Sequence, residues 1–376
     1  MAGSIRDRGN GSYQLSYHIG YDSKGKRIRR YKTVKAKNPS EAKRKLAAFV
    51  TEIERGEYVP PSNNKFGSFV EVWKKYAKKK LAPKTLEMYT YLLDARMLPA
   101  FSHLDLEDIT HVFINDYMNS LENEELSTST IQKHHNLLNN IFKLAIKNDL
   151  LKHNPMDKVE RITVTYKPGD VYNEDEFKQV IRLLNKEDNK QQALIIKLAL
   201  FTGMRKGEIL ALQWQDVDFK ANTIHINHSL SYTKANGYQL KEPKTKGSKR
   251  EIGVSLNVMK ELKKHIYKKK TDRMEANELW EGGKYRFVFS SDLGKPLHQN
   301  VPSRWWSRFL KRTDFKKIRF HDLRHTFATR LINKGGNINK ISKYLGHNSI
   351  TTSMDIYGHL IKEDREIANM LDEDYI

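Results

Sequence analysis

The 376-residue chain has no cysteine, which excludes disulfides, thiolate zinc sites and a cysteine nucleophile and suits a reducing compartment. Long apolar runs are missing too. Mean hydropathy is −0.71, and no stretch approaches the ~20 apolar residues of a spanning helix. No apolar segment follows the first basic residues as it would in a secretory leader. The expectation is a cytoplasmic protein with no membrane role. Acidic residues are in deficit: 45 Asp plus Glu face 67 Lys plus Arg, for a net charge of +22. That field suits a polyanion, and nucleic acid is the first partner to consider.

A 38% hydrophobic and 10% aromatic content supports folded domains, and 376 residues exceed one ordinary core, so two or three domains are expected. The charge is uneven. Residues 1–60 carry 14 basic against 6 acidic side chains, residues 61–168 carry 15 against 13, and the rest carry 38 against 26. In the first segment Tyr13, Leu15, Tyr17 and Ile19 alternate on one face of a strand. Asp22 to Gly25 supply turn chemistry, and a basic strand returns with Arg27, Arg29 and Arg30. Asn38-Pro39-Ser40-Glu41 then opens a helix to about Arg55, with Leu46, Phe49, Val50 and Ile53 on its apolar stripe. Only two strands are readable here.

Residues 58–64 read as a linker. Helical periodicity follows: a first helix through Phe69, Val72, Trp73 and Tyr76, then 85–98, 109–121 and 129–148, with Pro83 and Pro99 as punctuation. Lys80 and Lys84 are candidate phosphate contacts there. Asn154-Pro155 begins a second linker, and Asn173-Glu174-Asp175-Glu176 marks a helix start with acidic residues suited to its dipole.

The chemistry-bearing residues lie beyond. Thr202-Gly203 closes an apolar helix before Arg205, whose planar, permanently charged fork matches a phosphate, and Glu208 follows. Alternating segments at 223–227 and 244–254 read as strands, with a Gly247-Ser248 turn between basic runs. A helix over 318–332 carries His321, Arg324 and His325. The two histidines have metal-ligand spacing, but Arg324 beside them and the lack of a Glu after the first His argue against zinc. Leu345-Gly346-His347 and then Asp355-Ile356-Tyr357-Gly358-His359 complete the set. Two arginines, several histidines and a tyrosine, with no acidic metal cluster, are what metal-free phosphoryl transfer to a tyrosine needs.

These boxes resemble those of the tyrosine recombinases, the integrases of phages and conjugative elements, and the likeness runs over essentially the whole chain. The resemblance implies a multidomain α+β fold: an arm-type DNA-binding domain at 1–60 with a three-stranded sheet plus helix, an all-α four-helix core-binding domain at 65–160, and a mainly α catalytic domain at 170–376 with a small antiparallel sheet. It implies a site-specific recombinase that cleaves and rejoins DNA through a 3'-phosphotyrosyl intermediate and a Holliday junction, integrating or excising a mobile element or prophage. Arg205, Arg324 and His347 would hold the phosphate, His321 would take the proton of the nucleophile Tyr357, and Lys244 or Lys246 would protonate the leaving oxygen. Glu208 would orient the arginine and histidine side chains, with His325 as a buried support. Arg27, Arg29, Arg30, Lys80 and Lys84 would contact DNA. No cofactor and no metal are expected. Double-stranded DNA at core and arm sites, a homotetramer on that DNA, a host DNA-bending protein and an excisionase are the implied partners, with the nucleoid as the place of action. A type IB topoisomerase would share the chemistry but would not need an arm-binding module.

Overall fold

The structure is a computed structural model that describes residues 3–21, 27–55, 65–163, 169–242, 249–283 and 285–346. It divides into two compact units, Met1–Tyr166 and Lys167–Ile376. Among the described residues no helix is long and apolar enough to cross a membrane.

The first unit opens with β1 (Ser4–Gly9), β2 (Ser12–Tyr21) and β3 (Arg27–Lys35), an antiparallel sheet in the order β1-β2-β3. α1 (Pro39–Glu54) follows, started by the Asn38 side chain, which accepts from the Glu41 amide at 2.9 Å. The alternation in β2 holds at Tyr13 and Leu15, which are buried, and breaks at Ile19, which is 40% exposed where the register with β3 shifts. β1 is the strand that periodicity missed, because Ser4-Ile5-Arg6-Asp7 offers one apolar residue; pairing with β2, as in Ile5 opposite Leu15, makes it a strand. Register also separates two of the arginines. Arg30 pairs with Tyr17, whose hydroxyl donates to Glu54 of α1 at 2.9 Å, whereas Arg29 pairs with His18 on the opposite face.

Next come α2 (Phe66–Lys80), α3 (Pro83–Leu92), a π-helical turn at Leu93–Met97, α4 (Leu98–Phe101), α5 (His111–Asn123) and α6 (Thr128–Lys147). Phe66, Trp73, Leu93, Phe101, Leu138 and Phe142 form their core. Pro99 does not end a helix as the sequence suggested. The wide turn just upstream lets the run continue past a residue that donates no amide.

The second unit begins with α7 (Glu174–Lys186), started by reciprocal bonds between Asn173 and Glu176 at 2.8 and 2.9 Å. α8 (Lys190–Thr202) is apolar around most of its circumference and is buried accordingly; its one deeply buried charge, Lys197, reaches Glu261 at 2.7 Å. α9 (Lys206–Ala211) leads to β4 (Val217–Asp218), β5 (Thr223–Ile226), β6 (Ser229–Thr233), β7 (Gly237–Lys241) and β8 (Arg250–Gly253). Strands β4-β5-β8 form one antiparallel sheet and β6-β7 another. The strand after the Gly247-Ser248 step therefore pairs with β5; the step itself lies outside the described residues. The unit continues with α10 (Leu256–Ala276), α11 (Val301–Arg312), α12 (Asp322–Asn333) and α13 (Ile338–Leu345). α12 starts four residues later than the 318–332 reading. Asp322 folds back to accept the Arg319 amide at 2.8 Å, closing a turn that leaves His321 just before the first helical residue.

Candidate active site

Among the described residues, the segment 202–208 joins α8 to α9, His321 immediately precedes α12, and Leu345-Gly346 ends α13. Gly203 closes α8 in a left-handed conformation, with φ at +62°, and a Cβ there would lie 2.6 Å from both Leu345 and Phe327. Only glycine lets α8, α12 and α13 approach so closely. The chain then turns at Arg205, whose amide donates to Glu208 at 2.9 Å while its Nη1 donates to the same carboxylate at 3.0 Å.

Arg324, on α12, is 3% exposed. Its Nη1 donates to the Gly203 carbonyl at 2.6 Å and its Nη2 to the Leu345 carbonyl at 2.8 Å. Arg205 Nη2 donates to the next carbonyl, Gly346, at 3.0 Å. A third guanidinium completes the series: Arg250 of β8 donates from Nε to the Tyr344 carbonyl at 2.7 Å. Three arginines from three distant segments thus cap three successive carbonyls at the end of α13, satisfying acceptors that the helix leaves open and matching the negative end of its dipole.

Arg250 was not among the residues singled out from the sequence. It also pairs with Glu208 at 3.0 Å, so Glu208 lies between two guanidinium groups. Burial alone would raise the Glu208 carboxyl, but the hydrogen bond and charge of Arg250, then those of Arg205, outweigh it and hold the group below its ordinary range. The sequence did carry a signal. Arg250 shares its phase on the strand with Ile252 and Val254, the inward side, where a lone solvated arginine has no place. Among the described residues Glu208 pairs with arginines, while the His321 ring lies edge to face with His325 at 5.1 Å.

His321 is open to solvent on one side. Desolvation by the surrounding protein, then the charge of Arg324, keep its imidazole below the usual histidine range. An imidazole neutral at neutral pH can accept a proton. His325 is buried, and that burial pushes it down to about 4. Lys244, Lys246, His347 and Tyr357, together with the side chain of Arg27, lie outside the described residues. Of the other candidate DNA contacts, Arg29, Lys80 and Lys84 are exposed and Arg30 is half-buried. Lys84 already pairs with Glu87 at 2.7 Å. No group of three metal-ligating side chains occurs among the described residues.

Comparison with known proteins now bears on this geometry. The Phage integrase family signature matches residues 171–364, just over half of the chain, and the Phage integrase SAM-like domain matches 66–162. The chain belongs to the phage integrase family. It is a tyrosine recombinase, and its activity is that of the family, site-specific recombination of DNA. Among its relatives is the ICEBs1 integrase of Bacillus subtilis, 28% identical over 98% of this chain and 99% of that protein. The fold is shared with the Tn1549 transposon integrase, solved in complex with a circular intermediate DNA. That likeness has a TM-score of 0.67 and 20% identity, covering 82% of this chain and 99% of the other. It is also shared with lambda integrase, solved as a tetramer bound to a Holliday junction, at a TM-score of 0.58 and 18% identity over 94% of each chain.

Proposed function

We propose that this recombinase cleaves duplex DNA by attack of the Tyr357 phenolic oxygen on a backbone phosphorus. A phosphotyrosyl ester forms, the bond from phosphorus to the 5' oxygen breaks, and the ester's 3' phosphate stays on the protein until a different 5' hydroxyl reverses the step. Arg205 and Arg324 neutralise the non-bridging oxygens, where charge builds in the transition state, and His347 adds a hydrogen bond. His321 takes the phenolic proton. Lys244, or Lys246 in its place, gives a proton to the departing oxygen. Glu208 keeps Arg205 aimed. Because the ester conserves the energy of the broken bond, neither a nucleotide cofactor nor a metal is required.

The observation that carries this reading is the convergence of Arg205 and Arg324 on the Gly346 and Leu345 carbonyls, immediately before His347 in sequence. Trapping on a nicked suicide substrate tests it: a covalent protein–DNA adduct should form in the presence of EDTA. Cleavage that required added Mg²⁺ would return the protein to metal-dependent nuclease chemistry.

The reading extends to organisation. Residues 1–60 bind arm sites, 65–160 embrace the core site and 170–376 carry out the chemistry, with four protomers assembling on two duplexes through a Holliday junction. The basic face carrying Arg29 supports the first assignment. Arg30, half-buried on the α1 side, is the weaker contact, Arg27 extends the same strand, and Lys80 and Lys84 serve the core site. A host bending protein and an excisionase complete the set of partners, and the bacterial nucleoid is the place of action. Deleting residues 1–60 should impair recombination of arm-containing substrates and spare cleavage of a bare core site; equal loss on both would end the three-domain reading.

A further inference from the structure

Lys206 follows Arg205 directly, yet its side chain leaves in another direction. Its Nζ donates to the Ser303 hydroxyl of α11 at 2.9 Å and lies 6.0 Å from the centre of the Phe320 ring. Among the described residues no carboxylate pairs with it, whereas three other withdrawn cations of the second unit have one: Lys197 has Glu261, Lys269 has Asp272 and Arg250 has Glu208. An ammonium half-withdrawn from water without a counter-charge is destabilised, and burial lowers the Lys206 pKa accordingly. Among the described residues a neutral hydroxyl and a ring face are the partners the ammonium has, and neither carries a full negative charge, so an anion from outside would stabilise it.

The lysine borders an open groove of about 630 Å³. Ser303, Ser307, Lys317, Arg319 and His321 share its lining, over a floor that includes Trp306 and Phe320. Arg319 is committed to Asp322 through a two-pronged pair at 2.9 Å on each prong, and Lys317 is exposed on the rim. Lys206 is therefore the half-buried cation of the groove that has no carboxylate partner among the described residues, with the Ser303 hydroxyl beside it and Ser307 on the same lining. His321 belongs both to this groove and to the arginine cluster, so an extended polyanion lying across His321 passes from one to the other.

We propose that the groove seats a DNA phosphodiester adjacent to the one that is cleaved, with the Lys206 ammonium as its principal contact and the Ser303 hydroxyl as a second donor. Lys206 is thus a substrate-binding residue distinct from the arginines that hold the reacting phosphate. It fixes how the strand lies across His321. The inference rests on the recombinase reading above.

The test uses the full-length protein and duplexes carrying its own crossover site, with a single uncharged methylphosphonate at each phosphate flanking the cleavage position in turn. Affinity and single-turnover cleavage are measured for the wild type, Lys206→Gln, Lys206→Arg and Ser303→Ala. One methylphosphonate position should weaken wild-type binding about tenfold, the scale of one charged hydrogen bond. The same position should cost Lys206→Gln nothing more. Lys206→Arg should retain most of the affinity, Ser303→Ala should lose a smaller part at that position, and Lys206→Gln should lower the slope of log affinity against log salt by about one. If the losses from Lys206→Gln and from every methylphosphonate simply multiply, Lys206 touches none of these phosphates and the proposal is wrong. A general folding defect gives that multiplicative result too, and thermal melting identifies it; Lys206→Arg then decides by showing or lacking the position-specific loss. Absence of any covalent adduct in the wild type would count against the tyrosine mechanism, while the binding measurements would still decide on Lys206.

Discussion

Arg250 Nη2 and Glu208 Oε2 are 3.0 Å apart, and the two side chains retain 7% and 5% of their exposure. The pair ties β8 to α9, and through the Tyr344 carbonyl Arg250 ties both to α13. Removing one partner leaves Glu208 with Arg205 alone or Arg250 without its carboxylate, so the loss should fall below the ~3–5 kcal/mol of a fully stranded buried charge. Arg250→Met and Glu208→Gln should each lower the denaturation midpoint, and the double variant should lose less than the sum. Additive losses would show that the two do not communicate.

The same pair sets a pH signature. Glu208 is held below its ordinary range in the folded state, so its contribution to stability is complete above that range and is lost as pH falls through the depressed value. In Arg250→Met the burial that favours the neutral acid is opposed only by Arg205. The acid limb of cleavage should then move to higher pH in Arg250→Met, and a cleavage profile superimposable on that of the wild type would contradict this account.

Arg324 uses two separate nitrogens on two carbonyls, a task that a lysine ammonium on a flexible stem cannot reproduce. Arg324→Lys should keep near-normal DNA affinity and lose about 10²-fold or more in single-turnover cleavage. Parallel losses in affinity and rate would mean that Arg324 binds the ground state and the transition state equally.

Tyr357→Phe removes one oxygen. It should bind the crossover site as the wild type does and form no covalent adduct on a nicked substrate; recovery of adduct would move the nucleophile to another tyrosine.

Three buried histidines give a stability prediction. Burial pushes His134, His265 and His325 down to about 4. Each enters the folded state neutral, so the stability it confers is full above the ordinary histidine pKa of ~6.5 and lost as pH falls from there toward about 4. Thermal midpoints should decline over that window, and a flat profile would be inconsistent with neutral buried rings. Tyr117→Phe should also destabilise by about 1–3 kcal/mol, since His134 Nδ1 loses its partner at 2.8 Å.

The helices of the first unit and the start of α7 were legible because apolar spacing and caps such as Asn38 and Asn173 are local signals. β1 was not, since a strand with one apolar residue is defined by its neighbour. The helix over 318–332 began too early because the turn closed by Asp322 depends on a side chain folding back, which periodicity does not register. The order of the motifs pointed to Arg205, Glu208, His321 and Arg324 as candidate site residues. The convergence of Arg205, Arg250 and Arg324 on one helix end is a long-range property that no window of sequence contains.

That helix end has a consequence for the protein before it meets a substrate. Like charges crowded into one place normally push apart, and three guanidinium groups around one helix end would be expected to splay. The carbonyls of Tyr344, Leu345 and Gly346 supply the opposing partial charge. The cluster can therefore stay assembled while the protein searches along DNA, and little reorganisation remains to be done when a phosphate arrives.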